Sequence, residues 1–196
     1  MNAPTGPAPE VLSMSLVRFA TAEALFETFP ELSQKISAKP SQQFPMEFLR
    51  TLVAAGQIED AVTFCAYLLP RREAVWWACR CARASSDHFA EDRAAALLAA
   101  EAWVKEPDDE RRQAALELGT RGHCDDALTW VAFAAGWAGG FLVSGPHHSI
   151  PMPQYMTARA THTAILISAL SVKRDQRPAY LQACVADGTR LAENGL

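Results

Sequence analysis

The stretch from Leu68 to Arg83, LLPRREAVWWACRCAR, decides the fold of this chain. Pro70 stands near its start, and the alanines, cysteines and double tryptophan that follow recur at the three- and four-residue spacing of a helix. At 100° per residue, apolar side chains cover most of the circumference of this helix. A helix of that kind is typical of the centre of an all-α protein.

The helical wheel divides this segment into three faces. One face is a purely apolar stripe, a second combines a tryptophan and a cysteine with alanines, and the third carries the arginines. The apolar stripe consists of Val75, Ala78, Cys79 and Ala82, the second face contains Trp77 and Cys81, and the arginine face consists of Arg72, Trp76, Arg80 and Arg83.

Two interpretations of the arginine face stay open. In the first, the guanidinium groups stack on Trp76 and pair with carboxylates of the same chain. Glu101 is the expected partner, because it shares a helix face with Leu97 and Leu98 and would otherwise be a buried, unpaired acid. In the second, the arginines form a carboxylate- or phosphate-binding surface for another molecule.

Apolar periodicity predicts helices along nearly the whole chain and no strand, so we expect an all-α fold of about nine helices. Short connections predict antiparallel hairpins, packed as an irregular bundle or a short α-solenoid. Pro45 suits a first helical turn, Asp108 suits an N-cap, and Gly56 and Gly122 suit C-caps. The predicted helices are Ala22–Phe29, Pro45–Ala55, Ile58–Leu69, Arg71–Ala84, Glu91–Lys105, Asp109–Thr120, Asp126–Gly136, Thr157–Val172 and Pro178–Glu193.

An internal echo connects two of these helices. Gly56 to Tyr67 reads GQIEDAVTFCAY, and Gly122 to Phe133 reads GHCDDALTWVAF. Both pieces predict a glycine-capped turn that leads into a helix with the same buried face, with Val62 equivalent to Leu128 and Phe64 to Trp130.

Length and composition favour one domain with its own core. The chain has 196 residues, is 49% hydrophobic and carries a net charge of -4, which provides no general basic field for nucleic acid. The five cysteines lie mostly beside alanines in helical segments, where a reduced thiol is a small core side chain. We therefore expect a cytoplasmic protein.

The sequence predicts a flexible N-terminal arm followed by one domain. The arm is residues 1–20, whose start is rich in proline and glycine and has no secretory signal, and the single helical domain is residues 21–196.

The uncharged segment Ala127 to Ala158 begins with an apolar run. That run is shorter than the roughly 20 residues of a membrane span, so we interpret it as a buried helix and expect no membrane insertion.

The segment Ala138 to Met156, AGGFLVSGPHHSIPMPQYM, is predicted to be a long loop. Its apolar side chains either strap it over the helices or provide anchors for a partner. The candidate partner-binding residues in it are Phe141, His147, His148 and Tyr155. The two adjacent histidines would diverge in an extended loop, so we expect no metal site.

No residue pattern indicates catalysis or a cofactor. Most acidic residues fall on surfaces and at helix starts, where they favour the helix dipole. His123 and Cys124 are neighbours in sequence, but no oxyanion motif accompanies them. We therefore expect a protein that is not an enzyme.

Three motifs together resemble an uncharacterised bacterial domain family of unknown function. They are LPRREAVWWACRCAR, AAEAWVKEPDDERRQAA and WAGGFLVSG, and the resemblance extends from about Phe44 to Val172. It implies a bacterial cytosolic protein with an accessory role in type VI secretion, such as an adaptor or chaperone, and it brings no catalytic residues.

Taken together, these patterns favour a helical module that binds another protein, such as a secretion-system component or effector. The binding surface would combine the arginine face with the loop. The alternatives are a sensor of small anions that uses Arg72, Arg80 and Arg83, and a hydrolase hidden in the loop. The apolar loop residues also fit a homodimer surface.

Overall fold

Nine α-helices account for most of a computed structural model of the chain, which describes residues 16–86, 89–144 and 149–196. The all-α prediction is confirmed, and every predicted helix end lies within three residues of the observed one. The helices are α1 (Ala22–Thr28), α2 (Pro45–Ala54), α3 (Ile58–Leu68), α4 (Arg71–Ser85), α5 (Glu91–Lys105), α6 (Asp109–Arg121), α7 (Ala127–Gly136), α8 (Gln154–Ser171) and α9 (Arg177–Asn194), and a short 3-10 helix (Pro30–Gln34) follows α1.

The predicted helix boundaries rest on local chemistry that the structure reproduces. Pro45 is in the first turn of α2, where its missing N–H costs no hydrogen bond. The Asp108 side chain caps α6 by accepting a 2.8 Å hydrogen bond from the backbone N–H of Arg111. Gly56 follows α2 with a φ of +73°, the left-handed conformation that suits a C-terminal cap.

The core consists of two clusters of buried side chains. The first is built mainly by α1, α2, α3 and α9, and the second mainly by α5 and α7. Helices α4 and α8 contribute to both, and Trp76 is partly buried between them. In α4 the first cluster receives Ala74, Trp77 and Cys81, and the second receives the predicted apolar stripe of Val75, Ala78, Cys79 and Ala82.

Helices distant in sequence pack against one another, which identifies an irregular bundle rather than a solenoid. Helix α9 packs on α3 and α4, and α4 also packs on α5, α7 and α8. In a solenoid each unit would contact only its sequence neighbours. The central position predicted for α4 is therefore confirmed.

The internal echo coincides with the helical hairpins α2–α3 and α6–α7. Val62 and Leu128 are both fully buried, as predicted. Phe64 is also fully buried, whereas Trp130 is partly exposed, so the equivalence does not extend to the aromatic positions.

Gly122 ends α6 as predicted, but it does not adopt the left-handed conformation for which a C-terminal cap usually requires glycine. Its φ is -78°, which any residue adopts. A Cβ at this position would collide with the hydroxyl of Thr129 in α7. Gly122 is therefore required by the close approach of α6 and α7.

The segment predicted as a long loop contains a β-hairpin, so the expectation of no strand is wrong here. Strand β1 (Phe141–Ser144) pairs antiparallel with β2 (Ser149–Pro151), with Phe141 opposite Pro151 and Ser144 opposite Ser149. The register shifts between Phe141 and Val143. The aromatic and β-branched residues of the Phe-Leu-Val run favour a strand at this point.

Residues 16–20, which were assigned to the flexible arm, are packed against the helices. The backbone N–H of Leu16 donates a 3.0 Å hydrogen bond to the carbonyl of Ala192 in α9. Val17 and Phe19 lie against the first core cluster. The rest of the predicted arm, residues 1–15, lies outside the described residues.

Helix α7 is a buried helix, as the uncharged segment predicted. All of its residues except Trp130 and Phe133 are buried. Within residues 16–86, 89–144 and 149–196, no helix has both the length and the apolar character that a membrane span requires.

Candidate functional site

The β1–β2 hairpin carries a group of exposed apolar side chains. Phe141 is 57% exposed, Leu142 is 52% exposed and Ile150 is 50% exposed. Side chains of this size are often buried, and this short hairpin exposes three of them. We call these three residues the hairpin patch.

Arg71, at the start of α4, holds the base of the hairpin. Its Nη1 donates a 3.0 Å hydrogen bond to the carbonyl of Ala138, and its Nη2 donates a 2.8 Å hydrogen bond to the carbonyl of Met152. These two carbonyls lie on opposite sides of the hairpin, so one guanidinium group fixes both of its ends to α4. Burial lowers the pKa of Arg71, and the charge of Arg18 acts in the same direction.

Arg112, in α6, lies against the chain segment that leads from α7 into the hairpin. The residue is 9% exposed, and its Nη1 donates a 2.9 Å hydrogen bond to the carbonyl of Gly136 at the end of α7. Its Nε donates a 2.7 Å hydrogen bond to Asp109 Oδ1. A Cβ on Gly140 would lie 2.8 Å from the Arg112 Cζ, so the Gly-Gly pair lets the chain pass directly over the guanidinium group.

The end of α7 that leads into the hairpin is stiffened by aromatic rings. Phe133 and Trp137 stack with 4.6 Å between ring centroids and 17° between planes. Trp130 meets both rings at larger angles. The hairpin patch therefore projects from a rigid base, although the patch itself is exposed.

The predicted arginine face does not form one surface, because its side chains bind different neighbours. Arg83 makes a bidentate ion pair with Glu101 in α5, at 2.5 and 2.7 Å, which confirms the partner expected from the sequence. This hydrogen-bonded pair raises the pKa of Arg83. Arg72 donates a 2.7 Å hydrogen bond from Nε to the carbonyl of Val104, also in α5.

Arg80 turns the other way, toward α9. Its Nη2 lies 2.6 Å from Asp187 Oδ1. The predicted stacking of arginines on Trp76 is wrong, because the guanidinium groups reach acceptors on α5 and α9 instead. In the part of the chain that the structure describes, arginines lie over the rings of Phe19 and Phe89.

The remaining predicted site residues divide between surface and core. Phe141 belongs to the hairpin patch. Tyr155, in the first turn of α8, is partly buried against the first core cluster, so it packs on the core rather than standing in an exposed loop. His147 and His148 lie outside the described residues. The packing interpretation therefore holds for Tyr155, and the interpretation of the loop as an anchor for a partner stays a prediction.

The cysteines are free thiols, as expected, and four of them are buried. Burial raises the pKa of Cys65, Cys79 and Cys81, which keeps their thiols protonated and unreactive. The fifth, Cys124, is exposed. Among the described residues, no three histidine, cysteine, aspartate or glutamate side chains converge as a metal site would require.

Sequence reasoning missed the two arginines that hold the hairpin. Arg71 is one of the two adjacent arginines after Pro70, but the helical wheel placed only its neighbour Arg72 on the arginine face. Arg112 had a usable signal: it lies three and seven residues before the buried Ala115 and Gly119, on the face of α6 that points inward. A buried arginine at such a position usually binds backbone carbonyls or an acid.

The motifs that position this hairpin all fall within one family match. The model of DUF6931, described as a family of unknown function, matches residues 48–192. No curated protein and no solved structure matches the chain. Because the match covers well over half of the sequence, this chain belongs to the DUF6931 family of unknown function.

Proposed function

We propose that this chain is a non-enzymatic interaction module that binds another protein through the hairpin patch. The observation that carries the proposal is the exposure of Phe141, Leu142 and Ile150 on a hairpin whose base is held by Arg71. Exposed apolar patches on a rigid support are characteristic of protein contact sites. A rigid base also lowers the entropy that binding would cost.

The backbone of the hairpin provides a second means of contact. A two-stranded sheet leaves one edge of each strand outside the ladder, where a partner's extended segment can add a strand. The apolar side chains of the patch would then provide the specificity of the contact, and the backbone groups would provide its orientation.

The resemblance of the sequence motifs suggests the biological setting of this contact. We propose that the module is an adaptor or chaperone that works in the bacterial cytoplasm and holds a component or effector of a type VI secretion system. Its action requires no cofactor and no metal ion in this proposal.

A pull-down with a matched exposed leucine tests the hairpin patch. Full-length wild type, a triple variant (Phe141→Ser, Leu142→Ser, Ile150→Ser) and Leu98→Ser are purified from the source bacterium with their bound proteins. Leu98 is 56% exposed on α5 and serves as the control. We expect a stoichiometric partner with wild type and Leu98→Ser that is lost from the triple variant, while circular dichroism shows the same helix content in all three.

Two results of this experiment would contradict the proposal. One is equal recovery of the partner by the triple variant. The other is a homodimer of the wild type, seen by sedimentation equilibrium, that dissociates in the triple variant, because the patch would then belong to a second copy of the chain.

Anion sensing by Arg72, Arg80 and Arg83 is the second function that the sequence suggested. In the folded chain these groups bind Val104, Asp187 and Glu101, so an added anion would have to compete with an internal acceptor. Thermal shift with phosphate and citrate tests this function. A stabilisation that disappears in Arg80→Ala would favour it over the interaction module.

A further inference from the structure

A second apolar surface lies far from the hairpin in sequence, between α2 and α9. Both helices pack on α3 but make little contact with each other, and the groove between them has a volume of about 730 Å³. Its floor contains the buried side chains of Leu49 and Val185. Its walls are formed by exposed side chains, those of Val53, Ala54, Ala183 and Ala186. We call this groove the α2–α9 groove.

The walls of the groove favour a helix as the bound element. They are helix surfaces, so their backbone N–H and C=O groups are already used within α2 and α9. An extended segment would find no backbone partners there, whereas a helix satisfies its own backbone hydrogen bonds. The small side chains of Ala183 and Ala186, three residues apart on one face of α9, leave room for a helix to approach closely.

The charge around the groove indicates what flanks the apolar face of that helix. Arg50 and Arg190 line the groove, and their side chains are 63% and 68% exposed. Among the residues that the structure describes, no acidic side chain lines it. Arg50 uses Nη2 for a 2.8 Å ion pair with Glu193, and Arg190 uses Nη2 for a 2.9 Å ion pair with Asp187 Oδ1.

Asp187 is shared, which leaves this region with an excess of positive charge. The same Oδ1 atom that accepts from Arg190 also accepts from Arg80 at 2.6 Å. One carboxylate therefore serves two guanidinium groups, and the Arg190 side chain stays 68% exposed beside the groove. A carboxylate of a bound partner would complete this arrangement.

We infer that the α2–α9 groove binds an amphipathic helix of another protein, with apolar residues in the groove and Asp or Glu residues facing Arg50 and Arg190. This surface is separate from the hairpin patch and does not depend on the function proposed for it. Two surfaces would allow one chain to join two proteins.

Two synthetic 18-residue helical peptides test this inference on the full-length chain. Both carry leucines at positions i, i+3, i+4 and i+7, and the flanking positions are Glu in one peptide and Lys in the other. We expect the Glu peptide to bind saturably and about tenfold more tightly than the Lys peptide, and to weaken as salt rises. Because the chain has a net charge of -4, nonspecific attraction would favour the Lys peptide instead.

Nuclear magnetic resonance and substitutions locate the binding. Amide shifts caused by the Glu peptide should concentrate in residues 49–54 and 182–190. Ala186→Gln should block binding, and the double variant Arg50→Gln, Arg190→Gln should weaken the Glu peptide about tenfold. Arg121→Gln is the control, since Arg121 is 75% exposed on α6 and pairs with Glu117 outside the groove.

The inference is overturned if neither peptide binds, if the Lys peptide binds as well as the Glu peptide, or if the amide shifts lie elsewhere. It is also overturned if the double arginine variant binds the Glu peptide like wild type. A concentration-dependent dimer of the wild type that is lost in Ala186→Gln would assign the groove to a second copy of the chain.

Discussion

The arginines of α4 act differently although they lie within one short helix. Arg71 and Arg72 bind backbone carbonyls, whereas Arg80 and Arg83 bind carboxylates. The last two are about half exposed, so each ion pair contributes on the order of 1 kcal/mol or less to the free energy of unfolding. Arg71 holds the base of the hairpin, which has no helical hydrogen bonds of its own. Of the four arginines, replacement of Arg71 should therefore have the clearest structural effect.

Two glycines with the same backbone conformation should respond differently to alanine. Gly56 and Gly140 both have a φ of +73°, but a Cβ at Gly56 meets nothing within 4 Å, whereas at Gly140 it meets the Arg112 guanidinium. We expect Gly56→Ala to lower the free energy of unfolding by about 1 kcal/mol, which is the cost of the backbone conformation alone. Gly140→Ala should lower it by about 3 kcal/mol, as measured by urea denaturation.

Equal losses at the two glycines would show that Arg112 moves aside without cost. In that case Arg112 could not be regarded as a rigid support of the hairpin.

His162, in α8, should make the protein less stable in mild acid. Burial lowers its pKa from 6.5 to about 4 in the folded chain, and the charge of Lys35 adds to the effect. Between these two pH values the unfolded chain binds a proton that the folded chain does not. The free energy of unfolding therefore falls as the pH falls through this window, by about 3 kcal/mol in total.

His162→Gln isolates this contribution from that of the carboxylates. The difference in the free energy of unfolding between wild type and His162→Gln, measured by urea denaturation from pH 7 to pH 4, should change by about 3 kcal/mol. A difference that stays constant over this range would show that folding does not lower the pKa of His162.

At the level of elements, the helices were predictable and the hairpin was not. The helices follow from periodicity and caps, which are local signals. The hairpin has few residues per strand, and a two-stranded sheet of this size is marginal without support from the rest of the fold. That support comes from two arginines. Arg71 binds backbone carbonyls that are 67 and 81 residues away in sequence, and Arg112 binds one that is 24 residues away.

Loss of the Arg71 contacts should loosen the hairpin without unfolding the helices. In Arg71→Gln we expect the amides of residues 140–144 and 149–152 to exchange hydrogen at least about tenfold faster, because the base of the hairpin opens locally. Hydrogen exchange followed by mass spectrometry measures this.

Arg72→Gln is the matched control for this experiment. Arg72 is the next residue in the chain, but it binds Val104 in α5 rather than the hairpin. Faster exchange of the hairpin in both variants, or in neither, would contradict the assignment of Arg71 as the residue that holds the hairpin.

At the scale of the whole molecule, α4 joins the two core clusters. Trp77 lies in the first cluster and donates a 2.7 Å hydrogen bond to the carbonyl of Cys184, while Val75 and Cys79 lie in the second. A helix that is buried on both sides cannot stay folded when either cluster is lost. We therefore expect the two clusters to unfold together.

One substitution in each cluster tests this coupling. Phe64 and Leu128 are fully buried, in the first and second cluster respectively. Phe64→Ala should cost about 4 kcal/mol and Leu128→Ala about 3 kcal/mol, and each should shift one single urea transition. Far-ultraviolet circular dichroism and tryptophan fluorescence should give the same midpoint. A separate transition that moves with only one of the substitutions would show two independent folding units.

What the sequence determined by itself was local: helix bounds, caps, the central position of α4 and Glu101 as a partner for the arginine face. These depend on spacing along the chain and on the need to neutralise a buried acid, both of which can be read from neighbouring residues. The tertiary structure alone decided that the arginine face divides between α5 and α9, that Arg71 and Arg112 hold a hairpin, and that α2 and α9 leave a groove between them. Each of these depends on which distant segments meet, and the one-dimensional pattern of apolar and polar residues does not specify that.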